Sequence, residues 1–588
     1  MVLKSRRISQ GKWLSVPLVG VLAACGGSGG GGSDDDSATL SGSVFASAVE
    51  GASCLLTDSS GGQIGDAFTT TAAGGYSVEV PEAYLDEDLI VTCSGGQFTD
   101  EATGLTGQTA GTLAAFIEGG TNTAGTSVHV TPSSTILHRL ITEHGKPVTQ
   151  AKAFFENAFG FELDLSIEPF DVTTEPDDSV DDDRRLSGLR AATFSQLAHD
   201  LELSATDQFA LISALADDLA DGELDGEDES DTPVMIDSAT TMPADIHNRF
   251  AQAMVNFRNG DYDSSGLTNA DLGGLPFAKE TMTDSYYIEY VEGMHSAVNG
   301  KTSFSLSIED HSGQAQTGLN VMIKPKMNMA EMTHGTAFEQ NCGESDTAGT
   351  YDCTVYYLMP SVMHGQSMGF WELKVMIGGH DGEHAMFYPT VGMAMGDTAQ
   401  VRLRGQDDKI SAAMDHDHDA EDDGHGDHHS SAPSLTIRGM ADMPEETESR
   451  TYYLFKRALT GEDNDHTFEL FLAAKEDADH YPPVYTGATL NADSMHYELA
   501  ISTMSVEVST DAENWITAEE GHHHGHWSAS GITGLTHGVS GTIYVRLIVE
   551  GEQKTTDGLA LNADALTEDT NNHFARFTVT PGGSMMSM

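Results

Sequence analysis

The sequence predicts a multidomain, mainly β protein in which several β-sandwiches surround one α-helical domain. Three observations carry this. Short runs that alternate apolar and polar residues, such as 75–80, 304–308 and 542–548, are punctuated by Gly, Asp and Ser turns through most of the chain. One stretch changes to helical spacing, with Ile136, Leu137, Leu140 and Ile141 recurring on one face. At 588 residues the chain is also longer than a single core can fill.

Residues 1–25 read as an export signal. Lys4, Arg6 and Arg7 make a positive start, 13–22 is a short apolar stretch, and Leu22-Ala23-Ala24-Cys25 follows where a signal peptidase would cut. The apolar run is too short for a bilayer span, which takes about 20 residues. The last four residues resemble the lipobox of bacterial lipoproteins. That resemblance implies a signal peptide ending before Cys25, acylation of Cys25, and a lipid anchor at the outer membrane or cell surface. Residues 26–37 are glycine, serine and aspartate, the composition of a solvated tether.

Of the five cysteines, lipidation of Cys25 leaves Cys54, Cys93, Cys342 and Cys353, each in a β-like segment near a partner. Disulfides Cys54–Cys93 and Cys342–Cys353 are expected, in an oxidising compartment. The charge balance of 91 acidic against 28 basic residues, net −63, excludes nucleic acid as a partner and favours cations.

Residues 38–128 are expected to form a small β-sandwich. The strings Ser41-Gly42-Ser43-Val44, Val49-Glu50-Gly51-Ala52 and 69–76 resemble the carboxypeptidase-regulatory-like, transthyretin-like module of surface proteins, which implies a spacer without catalysis. Residues 129–300 are the helical domain, opening at Thr131-Pro132-Ser133-Ser134 and continuing through 151–161 and 186–219. Two acidic loops there partly match a calcium loop: Asp221, Glu223, Asp225 and Gly226, then Asp261, Asp263, Ser265 and Gly266 with Asp271 beyond. Thr232 and Leu272 stand where an EF-hand needs its bidentate glutamate, so solvated acidic loops are the first expectation and calcium the second.

Residues 301–404 carry the most informative chemistry. Met327, Met329, Met332 and His334 follow one another closely, then Met359, Met363, His364, Met368, Trp371, His380 and His384. The Pro-x-Met-x-Met element at 325–329, the Gly-x-Tyr turn at 349–351 and the Met-x-x-Trp-x-Leu-x-Val strand at 368–375 resemble the YtkA-like and FixH-like family. That resemblance implies an immunoglobulin-like β-sandwich and an association with copper handling. The residues have their own chemical reason: thioethers suit Cu(I) and imidazoles suit Cu(II), zinc or nickel. Strand alternation puts Met327 and Met329 on one side, and Met332 with His334 likewise. The competing reading is that these methionines fill a core against Phe370, Trp371 and Tyr388.

Residues 405–433 form a His/Asp-rich linker offering His416, His418, His425, His428 and His429, a composition suited to metal capture. Residues 434–582 are expected to be a second immunoglobulin-like β-sandwich with a His-rich loop, His522, His523, His524 and His526, before a tail at 583–588. No G-x-S-x-G, H-E-x-x-H or P-loop signature appears, so the chain reads as a non-enzyme. The function expected is an envelope-anchored lipoprotein that captures, buffers or delivers copper, with zinc or nickel open. The alternative is a surface adhesion or scaffold lipoprotein. Its partners would be the membrane through the anchor, metal ions and another envelope protein.

Overall fold

The computed structural model describes residues 37–120, 126–272, 274–411, 447–462, 465–492, 494, 496–562 and 571–582. It is multidomain and mainly β, as the alternation predicts. The chain begins with a small β module. Strand Ser37–Ser43 pairs with Gly75–Pro81, and a second sheet runs in the order Gln63–Thr69, Ser53–Asp58, Leu89–Ser94, Thr112–Ile117. In Ser37–Ser43, Ala38 and Leu40 point inward while Ser37 and Thr39 face water, the period of two that a half-buried strand requires. Cys54 stands opposite Cys93 across this sheet and the two are bonded; Cys342 and Cys353 form the other disulfide. Both pairings agree with the sequence.

Five α-helices follow among the described residues: α1 (Pro132–Thr142), α2 (Val148–Phe159), α3 (Asp182–Asp200), α4 (Gln208–Asp218) and α5 (Ile246–Asn259). The Thr-Pro-Ser-Ser string starts α1 as a capping box: the Thr131 hydroxyl accepts the Ser134 N–H at 3.1 Å, and the Ser134 hydroxyl accepts the Thr131 N–H at 2.8 Å. Pro132 follows in the first turn, where its missing N–H costs nothing. Helix α1 lies on strand Thr112–Ile117, with the Ser134 and Thr135 hydroxyls bonded to the Ala114 backbone. One apolar core therefore runs from Leu40 in the β module through Phe159, Phe194 and Phe250 to Leu275. The helical domain is fused to the β module rather than strung beside it.

Glu101 and Asp218 are among the carboxyls that this region buries. Glu101 is 1% exposed; its Oε1 accepts the Ser47 N–H, while Oε2 has no partner. Burial pushes its pKa up to about 8. Asp218 is likewise raised to about 8, again chiefly by burial, although it accepts N–H groups of Asp225 and Gly226. A carboxyl with a raised folded-state pKa stabilises the fold fully below its unfolded pKa, and that contribution is lost as pH rises through the folded value. For Glu101 the window runs from 4.5 to about 8. Glu101→Gln is expected to flatten the fall in melting temperature across that window, with Asp218 sustaining part of the slope. Melting temperatures that fall as steeply in the variant would contradict this.

The first sandwich starts earlier than the expected boundary at 301. Strands Glu280–Met282 and Tyr286–Glu292 already belong to its first sheet, beside Gly300–Asp310, Thr350–Tyr357 and Ala337–Phe338. Its second sheet is ordered Thr333–Gly335, Val321–Asn328, Phe370–Ile377, Glu383–Phe387. It ends earlier too. Strand Gln400–Ser411 opens the second sandwich, pairing with Thr447–Glu462 until Ser411 meets Thr447. Residues 405–411 of the expected linker are thus strand, and 412–446 lie outside the described residues. Asp465–Ala474, His526–Ile532 and Glu519–Glu520 complete that sheet. Met504–Ser509, Gly541–Val549 and Ala575–Val579 lie in the facing one.

The two sandwiches meet in an apolar joint of Ala337, Tyr356, Leu358, Tyr453, Phe455, Phe471, Ala473 and Tyr481. The rings of Tyr356 and Phe471 stack at 4.2 Å, 4° from parallel. The first sandwich also touches the helical domain, where the Asn248 side chain donates to the Met386 carbonyl at 3.0 Å. Among the described residues no helix is long and apolar enough to cross a membrane.

Candidate functional site

The soft donors converge at one end of the first sandwich. Strand Val321–Asn328 is flanked by Thr333–Gly335 and Phe370–Ile377, and the register sets Met327 opposite both His334 and Trp371. Residues opposite one another share a face, so the three side chains meet. Met327 and Trp371 are fully buried and His334 is half-buried. The His334 Nδ1 lies 2.7 Å from the Gly335 carbonyl oxygen, and its Nε2 lies 3.4 Å from Met359 Sδ. The His334 ring stands edge-on to Trp371 at 5.5 Å. The indole N–H of Trp371 donates to the Met359 carbonyl at 3.1 Å, which holds Met359 in place. Burial pushes the His334 imidazole below its ordinary pKa, against the pull of Gly335 and Asp479.

The second sandwich closes over this end. The Gly335 N–H donates to the Ala478 carbonyl at 2.9 Å. A Cβ at Gly335 would stand 2.4 Å from the Asp479 carbonyl oxygen, so only glycine permits the approach.

The expected ligand set therefore divides. Met327 and His334 are together; Met329 and Met368 are half-buried against the same core. Met332 is exposed in the turn after Asn328, and the Met329 N–H donates to its carbonyl. Met363 and His364 sit on a separate small hairpin, His364 exposed in its turn with φ 54°. His380 and His384 are exposed at the other end of the sheet. His384 pairs with Met376, roughly 17 Å along the strand from Trp371. Met359, which was not among the expected ligands, lies beside His334. It follows strand Thr350–Tyr357, and only the packing of that strand over Trp371 brings its sulfur to His334.

The second histidine tract is a tight turn and not an open loop. His526 is buried, its Nε2 3.2 Å from Glu339 Oε1 of the first sandwich. Burial opposes ionisation of Glu339, but its bonds to His526 and Tyr356 and the charge of Arg457 prevail and lower its pKa. His524 stacks on Tyr485 at 3.7 Å, and the N–H of His526 donates to the His523 carbonyl. His522 and His523 remain exposed, with the His523 ring 5.5 Å from that of His526. Among the described residues no group of three or more His, Cys, Asp or Glu side chains is arranged to hold a metal. Cys25 and the tract of His416, His418, His425, His428 and His429 lie outside the described residues.

Four carboxylates of the acidic loops have partners within the chain. Asp221 and Asp225 each accept a backbone N–H two residues on, from Glu223 and Glu227. Asp263 pairs with Arg258 at 3.1 Å, and Asp271 accepts from Thr268. Those carboxylates take part in turns and in an ion pair.

No protein-family model and no curated protein matches the chain, so the YtkA-like resemblance rests on the residues quoted above. Among solved structures it is similar to the Escherichia coli adhesin FdeC, at 13% identity over 52% of this chain and 66% of that one, TM-score 0.13. It is similar also to the Yersinia pseudotuberculosis adhesin InvE, at 11% identity over 46% of this chain and 58% of that one, TM-score 0.14. The chain thus spans less than two thirds of either length, and at these scores the likeness carries no weight for function.

Proposed function

We propose that this chain is a non-catalytic surface scaffold, a lipoprotein anchored through Cys25 that displays docked β modules outside the cytoplasm. The observation that carries the reading is the joint between the sandwiches. Tyr356, Tyr453, Phe455 and Phe471 bury an aromatic layer there, and the Glu339–His526 pair spans it. Modules on a flexible string need no such layer; modules that hold a partner at a fixed distance do. The excess of 91 acidic over 28 basic residues keeps such a surface soluble and self-repelling.

The test begins with cell fractionation. The wild-type chain should sediment with the outer membrane and be labelled on intact cells, and Cys25→Ser should release it. Photo-crosslinkers placed at exposed positions on the sandwiches, such as Met294 at 92% exposure and Val539 at 55%, should then give discrete adducts with an envelope protein. Labelling only after permeabilisation, or a complete lack of adducts from both sandwiches, would overturn the proposal.

A further inference from the structure

We infer that the cleft between the β module and the start of α3 binds a short neutral glycan, a site that the scaffold reading neither needs nor assigns. The cleft measures about 820 Å³, within the range of about 300–1,000 Å³ that small-ligand sites occupy, and it lies where two structural units meet. Its floor is a strand face. Ser41 pairs with Ser77 on one side and bridges to Ser127 on the other, so three hydroxyls stand in one row, about 4.8 Å from strand to strand. Two residues further along the same face, Gly75, Ser43 and His129 make the next row. Small side chains in both rows keep this floor open.

His129 is 6% exposed, and its Nδ1 lies 2.7 Å from the Ser43 hydroxyl. Its Nε2 has no hydrogen-bond partner among the described residues, nor have the hydroxyls of Ser41, Ser77 and Ser127, and all of these residues line the cleft. Burial holds the imidazole below its ordinary pKa; Glu168 pulls it up and Arg184 presses it down. The floor therefore offers hydroxyls that can both donate and accept, beside an uncharged ring. The wall is charged. The His129 N–H donates to the Leu165 carbonyl at 2.8 Å, which lays residues 166–168 along the cleft. Glu168 engages Nη2 of Arg184, and Nη1 has no partner among the described residues. Asp181 and Asp183, at the head of α3, line the same space.

This lining selects the ligand class. An anion would meet Glu168, Asp181 and Asp183 against one guanidinium that Glu168 already engages. A simple cation would leave the row of hydroxyl donors unused and would be opposed by Arg184. A lipid or an apolar peptide would find Tyr76 and Ile167 as the only large apolar side chains in the lining. A sugar suits every part of it. Its hydroxyls accept from Arg184 and the serines, donate to the Glu168 and Asp183 carboxylates, and bring no charge that needs a counter-ion.

The experiment applies the full chain carrying Cys25→Ser to a glycan array and measures the neutral glycans it retains by isothermal titration calorimetry. The array carries glucans and galactans beside N-acetylglucosamine oligomers, which separates an external polysaccharide from a cell-wall one, and sialylated and sulfated glycans as the anionic class. At least one neutral class should bind. The double change Ser41→Val with Ser127→Val, which suits a strand, should weaken that binding at least about tenfold, because the sugar hydroxyls then face side chains that cannot pair with them. Glu168→Gln, at an exposed position, serves as the second variant should the double change lose its circular dichroism, and it should weaken binding in the same direction. Retention of anionic glycans alone, no retention of any neutral glycan, or unchanged affinity in the folded variants would each overturn the site.

Discussion

Replacing Asp408 with alanine is expected to destabilise the second sandwich by about 3–5 kcal/mol. The reason is what the change leaves behind. Asp408 is the shared anion for two buried cations: Arg450 Nε donates to it at 2.8 Å, and Lys554 Nζ lies 3.3 Å away. Arg450 is 0% exposed and Lys554 1%. Tyr452 adds a hydroxyl donor to the same carboxylate. Arg450 keeps acceptors in Asn491 and the Tyr497 carbonyl, and Lys554 keeps Glu552, but the central negative charge is gone. Burial opposes ionisation of Asp408, yet Lys554, Arg450 and Tyr452 together hold its carboxyl below the ordinary range. With a depressed folded-state pKa, its contribution is present above the unfolded value near 3.8 and is lost as pH falls through the folded one. Urea unfolding of the second sandwich at neutral pH measures the effect. A loss under about 1 kcal/mol would mean that water reaches the two cations once the carboxylate is removed.

Phe159→Ala is expected to cost a similar amount, about 3–5 kcal/mol, in a different unit of the molecule. The Phe159 ring is fully buried at the end of α2, within 4.7 Å of Phe155, 4.8 Å of Phe250 and 5.8 Å of Phe194. Its removal opens a cavity among three rings held by different helices, which cannot all move in to fill it. Because the same core continues through α1 into strand Thr112–Ile117, the β module and the helices should melt together at the lower temperature. The transition of the second sandwich should stay where it is. Calorimetry separates the outcomes: an N-terminal transition that splits in two would show that the β module holds without its helices.

Much of this protein could be read from its sequence because the determinants are local. The Thr131 capping box needs only four consecutive residues, and strand alternation in Gly300–Asp310 shows directly in Thr302, Phe304, Leu306 and Ile308. The paired cysteines lie in strands that had to be neighbours. The candidate site was legible in part: alternation along Val321–Asn328 marked Met327, and the turn that follows returned His334 to it.

The rest depended on register and docking, which no local pattern specifies. Gln400–Ser411 alternates like any strand, and only its pairing with Thr447–Glu462 assigns it to the second sandwich. His526 looks like one more member of a hydrophilic tract, yet Glu339 of the other sandwich claims its imidazole. Met359 is one of 25 methionines, and it stands out only because the Trp371 indole fixes its backbone with the sulfur facing His334. Sequence by itself determined which residues turn inward, since burial of apolar surface follows the period of each element. Which inward residues meet was decided by tertiary structure alone, because a contact between strands distant in the chain is set by how whole sheets pack.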